Sequence, residues 1–174
     1  MSIVQRIFHP WDLDPAAAIA LQRELAAKVI RKTAFGPVTT IAGVDASYRD
    51  GIARAAVVVF SFPGLDILDY VTAERPVDYP YVPGLLSFRE APAVLDALEK
   101  LPLTPDLLIF DGHGIAHPRH LGIASHVGLL VDEGERVCVV GRNGAGKSSL
   151  LRIMAGAQPP DDGEVWVRPG ARVA

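Results

Sequence analysis

A single cysteine, Cys138, stands in the whole chain, so no internal disulfide can form. Its place inside the apolar run ERVCVVG suits a buried strand residue far better than a reactive thiol. Long apolar runs are missing as well. Nothing approaches the roughly 20 residues of a membrane span, and the opening MSIVQRIFHPWDLD has no apolar core of a signal peptide. These absences lead us to expect a cytoplasmic protein with no membrane partner. Strong charge is lacking too: the net charge of -3 excludes a broadly basic nucleic-acid binder and leaves room for a local one. Histidine disappears after residue 126, although four of the five lie between His113 and His126. That asymmetry suggests two origins for the two ends of the chain. Internal repeats and low-complexity segments are absent, and no obligate protein partner is evident.

With 174 residues, 49% hydrophobic and 21% charged, the chain has the size of about one domain and can bury a core. Asp14-Pro15 reads as an N-cap followed by proline at the first helical position, and Ala18, Leu21, Leu25 and Val29 continue at helical spacing to about Lys32. Three apolar strands follow: TTIAGVDASY, AAVVVFSFP and LDILDYVTAERPV. Their short links imply an antiparallel meander. A proline-rich aromatic loop, DYPYVPGLLSFREAP, runs into a helix that buries Ala93, Leu95, Leu98 and Leu101. DLLIFDG reads as a central strand buried on both faces. HPRHLGIASHVGLLVD reads as a helix entered at its proline, and ERVCVVG as one more strand before a loop and helix, GRNGAGKSSLLRIMAG.

Asp45 and Asp111 each lie near the end of an apolar strand, and Glu90 lies at the start of a helix. Three carboxylates from separate rigid elements make an oxygen-rich site suited to Mg²⁺ or Mn²⁺, which activate water in phosphodiester cleavage. On spacing alone the plainer alternative stands beside it: strand-end acids commonly cap turns or pair with Arg or Lys. In DGHGIAHPRH, glycines flank His113, and His117 and Arg119 offer contacts to phosphate or metal, whereas His120 and His126 read as helix-capping or solvated. Zinc is disfavoured by the absence of paired ligands at a typical spacing. The stretch PYVPG, Pro80 to Gly84, stiffens Tyr81 between two prolines. Either it is a wedge for a duplex or a rigid loop with Tyr81 packed on its own domain.

Together AGVDASY, PYVPGLLSFRE and DLLIFDGHGIAHPRHLGIASHVGLLVD, in that order, closely resemble endonuclease V over about Ile19 to Asp132. The resemblance implies an α/β fold of ribonuclease H-like type, with an antiparallel meander plus parallel central strands and flanking helices. It places the strand of Asp45 beside that of Asp111. It further implies that Asp45 and Asp111 bind Mg²⁺, that Glu90 completes the acidic site, and that His117 lies close by. Pro80, Tyr81, Val82 and Pro83 would wedge the DNA where a deaminated base is turned out, and Gly84 and Gly112 would line the hypoxanthine pocket. The implied activity is Mg²⁺-dependent cutting of deoxyinosine-containing DNA at the second phosphodiester bond 3′ to the lesion, in DNA repair. Inosine-containing RNA is a second candidate partner.

After Asp132 the family's PTIGVAK-type strand, whose lysine belongs to the active site, is replaced; Val140 stands at the lysine's expected place. The new stretch holds Gly141, Asn143, Gly144, Gly146, Lys147 and Ser148 in the GxxxxGK[ST] spacing of a phosphate loop, after a strand and before a helix. It resembles the opening of an ATP-binding cassette ATPase. We therefore expect two parts, a truncated endonuclease V-like domain over 1–132 and a P-loop ATPase fragment over 133–174, a chimera produced by fusion, rearrangement or misassembly. ATP is a candidate ligand of the second part, without hydrolysis, because LSGGQ and a second acidic strand are absent. Loss of the lysine and closing elements predicts impaired nuclease activity. The alternatives are an ATP-binding module and an unstable translation product.

Overall fold

The computed structural model describes residues 9–31 and 37–131, and the backbone of 137–141. In chain order the elements are α1 (Pro15–Ala26), β1 (Thr40–Arg49), β2 (Ile52–Ser61), β3 (Ile67–Pro76), α2 (Leu86–Leu98), β4 (Leu107–Asp111), α3 (Ile123–Gly128) and β5 (Val137–Gly141). The strands form one mixed sheet in the order β3-β2-β1-β4-β5. β1, β2 and β3 are the expected antiparallel meander, while β4 pairs parallel with both β1 and β5. Asp50-Gly51 turns β1 into β2. Both residues have positive φ, 53° and 77°, as a two-residue hairpin of right-handed twist requires.

α1 starts where expected, because the Asp14 carboxylate accepts from the amides of Ala16 and Ala17 at 2.9 and 3.0 Å. It ends at Ala26, short of Lys32. The expected helix from His117 onward is a larger miss. Residues 114–120 make turns, with His117 N–H donating to Gly114 O and His120 N–H to His117 O, and α3 begins only at Ile123. A left-handed His120, φ 57°, breaks any helix entered at Pro118. β1 also outruns expectation: Asp45 lies in mid-strand, where the parallel pairing with β4 stops after Val44↔Phe110.

The core sits between the sheet and α2, with Ala42, Val44, Val57, Val59, Leu108 and Phe110 facing Val94, Leu95 and Leu98. α2 packs on β1, β2, β3 and α3. Ala93, Leu95 and Leu98 are buried as expected, and Leu101 packs on the core from beyond the helix end. At the start of the sheet, Asp106 Oδ2 accepts from the amides and hydroxyls of both Thr39 and Thr40 at 2.9–3.0 Å, tying the entry of β4 to that of β1. These bonds hold its carboxyl below the usual range against the opposing effect of burial. A second cluster joins Ala18 of α1 to Tyr79, Leu85 and Phe88, with Trp11, Leu13 and Val82 against it. Among the described residues no helix is long and apolar enough to cross a membrane.

His126 corrects the sequence reading. It is fully buried, with Nε2 2.8 Å from His9 Nε2 and Nδ1 3.0 Å from Ser87 Oγ, in contact with the rings of Trp11 and Phe88. Its place on α3, one turn past Gly122, points it at α2 instead of solvent. Burial, then the nearby His9, pushes its pKa down to about 3. An unfolded chain takes this proton near pH 6.5, so the stabilisation is complete above that value and is lost as pH falls toward 3. Glu90, whose pKa is raised, contributes the opposite slope over part of this range. The difference between wild type and His126→Phe isolates the histidine. In urea titrations from pH 7 to 5, the wild type should lose up to about 1.4 kcal/mol per pH unit relative to the variant; parallel curves would contradict the assignment.

Candidate active site

Two strands set the frame. Because Val44 pairs with Phe110 across the parallel β1–β4 ladder, Asp45 and Asp111 follow on adjacent strands, about 4.8 Å apart by strand spacing. Both are exposed, and each follows a residue buried in the core. The Asp45 carboxylate caps the amide of Ala46 at 2.9 Å. Glu90 arrives from the first turn and a half of α2 and is 9% exposed. Burial raises its pKa to about 7, with Arg89 opposing and the Asp45 charge adding to the rise. Asp45 and Glu90 therefore share one electrostatic environment, with Asp111 on the neighbouring strand.

Such a set fits a hard divalent cation. Mg²⁺ commonly takes one or two carboxylates and completes its shell with water and phosphate oxygens. Asp45 and Asp111 can supply the pair, and a cation beside them would offset only the part of the Glu90 rise that the Asp45 charge adds to burial. Among the described residues no group of three or more His, Cys, Asp or Glu side chains is arranged to hold a metal ion.

Sequence reasoning overlooked Arg89. Its guanidinium carbon lies 3.6 Å from the Tyr48 ring centroid and 5.6 Å from that of Tyr81, and its buried Nε has no hydrogen-bond partner. Stacking on two tyrosines gives the cation a place beside the carboxylates. The FRE triplet, an arginine next to the acidic residue, was the available signal. Tyr81 itself is 74% exposed, so the alternative of a tyrosine packed on its own domain does not hold. Pro80 and Pro83 are exposed beside it, and Val82 is half-buried on the second cluster.

The remaining expected residues divide. His117 is buried close to Gly84, with Nδ1 accepting from the Arg119 amide at 3.1 Å and Nε2 lacking a hydrogen-bond partner. Burial and the Arg119 charge hold its pKa down, so it is a neutral imidazole at pH 7. His113 is exposed nearby, the two rings 6.3 Å apart. Arg119 does not reach outward as a phosphate contact; its guanidinium bonds Gln22 and the Gly84 carbonyl. Gly112 has a packing reason for lacking a side chain, since a Cβ there would come 2.6 Å from Ile123 Cγ2. Gly141 ends β5 opposite Asp111, and Val140 pairs with Phe110. Asn143, Gly144, Gly146, Lys147 and Ser148, the boundary at Asp132 and the Cys138 side chain lie outside the described residues.

The family model of Endonuclease V matches residues 23–153. The chain belongs to the endonuclease V family. Among its relatives, the endonuclease V of Roseiflexus castenholzii is 59% identical over 124 residues, covering 71% of this chain and 56% of that protein. That of Dehalococcoides mccartyi is 46% identical over 135 residues, covering 76% and 60%. The solved endonuclease V of Streptomyces avermitilis superposes with a TM-score of 0.65 at 41% identity, over 74% of this chain and 57% of that one. The Ciona intestinalis enzyme, solved with a 24-mer DNA containing an inosine followed by a ribo-adenosine, superposes with a TM-score of 0.62 at 29% identity, over 72% and 56%. The chain thus spans somewhat over half the length of these relatives. The family match passes Asp132 and runs through Gly141 to Ser148, so it lends no support to an ATPase fragment beginning at residue 133.

The shared field of the two acids has a direct consequence. In Asp45→Asn the like charge is gone, so Glu90 should titrate below its value of about 7, while burial keeps it above an ordinary glutamate. Carbon-13 NMR of the Glu90 carboxyl across pH 4 to 9 measures this. An unchanged midpoint would show that the two carboxylates do not interact.

Proposed function

We propose that the chain is a Mg²⁺-dependent endonuclease of deoxyinosine-containing DNA, built on a ribonuclease H-like sheet. The observation that carries this reading is the register of β1 against β4, which sets Asp45 beside Asp111 within the electrostatic reach of Glu90. Inosine-containing DNA is what the Ciona relative binds in its crystal. A bound Mg²⁺ would supply activated water and charge neutralisation at the scissile phosphate, with Mn²⁺ able to substitute. Asp45 and Asp111 would hold it, Glu90 would complete the acidic site, and the neutral His117 would lie close to it. Pro80, Tyr81, Val82, Pro83 and Gly84 form the element that meets the strand, and the exposed ring of Tyr81 has the form of a wedge at the turned-out base. Gly112 borders the base pocket. Extrusion is cheapest for a weakly paired base, which gives a physical source for selectivity toward deaminated bases.

Val140 at the expected place of the family lysine removes a cation from the strand next to Asp111, so cutting should be slower than in relatives that carry it. A deoxyinosine duplex incubated with Mg²⁺ should be nicked at the second phosphodiester bond 3′ to the lesion, while an undamaged duplex stays intact. Asp45→Ala should abolish the nick, a loss on the order of a hundredfold or more, and retain DNA binding. Equal cutting of damaged and undamaged duplexes would refute the substrate, and full activity of Asp45→Ala would refute the site.

A second reading keeps the division at Asp132 and takes residues 133–174 as a nucleotide-binding fragment. Gly141 closes a parallel strand and opens the GRNGAGKSS phosphate-loop spacing, the context in which such loops hold phosphate. Calorimetric titration with ATP and Mg²⁺ tests it, and the absence of Lys147-dependent heat would reject it.

A further inference from the structure

Three separate segments meet at one backbone oxygen. The Gly84 carbonyl accepts from Arg119 Nη2 at 2.7 Å and from Gln22 Nε2 at 3.0 Å. Arg119 Nε donates to Gln22 Oε1 at 2.7 Å, and Gln22 Nε2 also donates to Leu121 O at 3.1 Å. Gln22 comes from α1 and is 1% exposed, Gly84 closes the PYVPG loop, and Arg119 belongs to the turns after β4. Every link but one bonds a side chain to a carbonyl, so the loop is held by its backbone. Gly84 has φ +81°, and a Cβ there would run into the Arg119 guanidinium and sit 3.2 Å from His117 Nε2. The close approach and the left-handed backbone both require glycine at this position.

We propose that Gln22 and Arg119 are positioning residues for the DNA-facing loop, fixing residues 80–84 so that Tyr81 is presented in one orientation. The inference rests on the endonuclease reading for its purpose, and on the hydrogen bonds for its geometry. Tyr81 is exposed and has no packing of its own to hold it, apart from the Arg89 cation at 5.6 Å. A wedge that must enter a stacked duplex loses effect if its backbone moves, because the ordering must then be supplied at binding. The clamp supplies that order beforehand. It also explains a fully buried glutamine on α1, a residue that neither capping nor apolar packing requires: amide oxygen and nitrogen are both used, toward Arg119 on one side and two carbonyls on the other. The arginine fork is equally specific, since its planar guanidinium gives one N–H to Gln22 and another to Gly84. Lysine would keep the charge and lose the fork.

Two measurements on the full 174-residue chain decide it. The first is amide hydrogen exchange of the free protein. The Leu85 amide, which donates to Val82 O at 2.9 Å, reports loop order. It should exchange at least about tenfold faster in Gln22→Ala, Arg119→Ala and Arg119→Lys, while Val57 and Val59 of β2 stay protected. The second is fluorescence of 2-aminopurine placed 3′ to deoxyinosine in a duplex, with Ca²⁺ replacing Mg²⁺ to prevent cutting. The signal should fall in each variant, and in a Tyr81→Ala background the same substitutions should add little, because they act through the tyrosine. Unchanged Leu85 exchange overturns the clamp. Faster exchange with an undiminished signal overturns its positioning role. Recovery of the signal by Arg119→Lys overturns it as well, assigning Arg119 to phosphate through charge. If the wild type gives the same signal with and without deoxyinosine, the endonuclease reading fails, and exchange alone then decides the clamp.

Discussion

Everything that resembles a site in this protein depends on the parallel pairing of β1 with β4. The pairing runs from Ile41↔Leu107 to Val44↔Phe110 and then stops, so the two strands release their next residues, Asp45 and Asp111, side by side. Asp106 secures the opposite end through both threonines at the entry to β1. A one-residue slip would carry Val44 and Phe110 out of the core and the two acids out of step, at a cost of several kcal/mol for the buried side chains alone. The core therefore sets the spacing of the carboxylates. No loop has to find it.

α2 connects that frame to the rest of the cleft. Phe88 is buried against Tyr79, Trp11 and His126, and the two residues after it, Arg89 and Glu90, are carried to the acidic edge as a consequence. Packing on this scale keeps the helix from retreating when Asp45 and Glu90 repel. Burial holds a proton on Glu90 up to about pH 7, with Arg89 as the counterweight and the Asp45 charge as a smaller addition. The Arg89 charge lies against two aromatic faces, one of them the exposed Tyr81, so the acidic edge and the PYVPG loop are joined through a single side chain.

Local signals in the sequence reached the elements that local chemistry governs. Asp14-Pro15 started α1 as expected, the three apolar strands formed the meander, and DLLIFDG became a strand inside the sheet. The family resemblance grouped Asp45, Glu90 and Asp111; the structure puts Asp45 and Asp111 on neighbouring strands and Glu90 within the field of Asp45. What escaped was tertiary. Nothing in HPRHLGIASHVG distinguishes a helix from a set of turns until His120 is placed in a left-handed conformation, and nothing marks His126 as buried until His9, 117 residues earlier, lies against it. Gln22 escaped for the same reason: its partners are a carbonyl 62 residues away and an arginine 97 residues away. Long-range hydrogen bonds between polar side chains and backbone leave no periodicity to read.

The far strand of the sheet bears on the phosphate-loop spacing as well. Gly141 pairs with Asp111, so the chain after β5 departs from beside the acidic edge. In open sheets with parallel strands, ligands collect at the carboxyl ends of those strands, and here β1, β4 and β5 deliver Asp45, Asp111 and Gly141 to the same end.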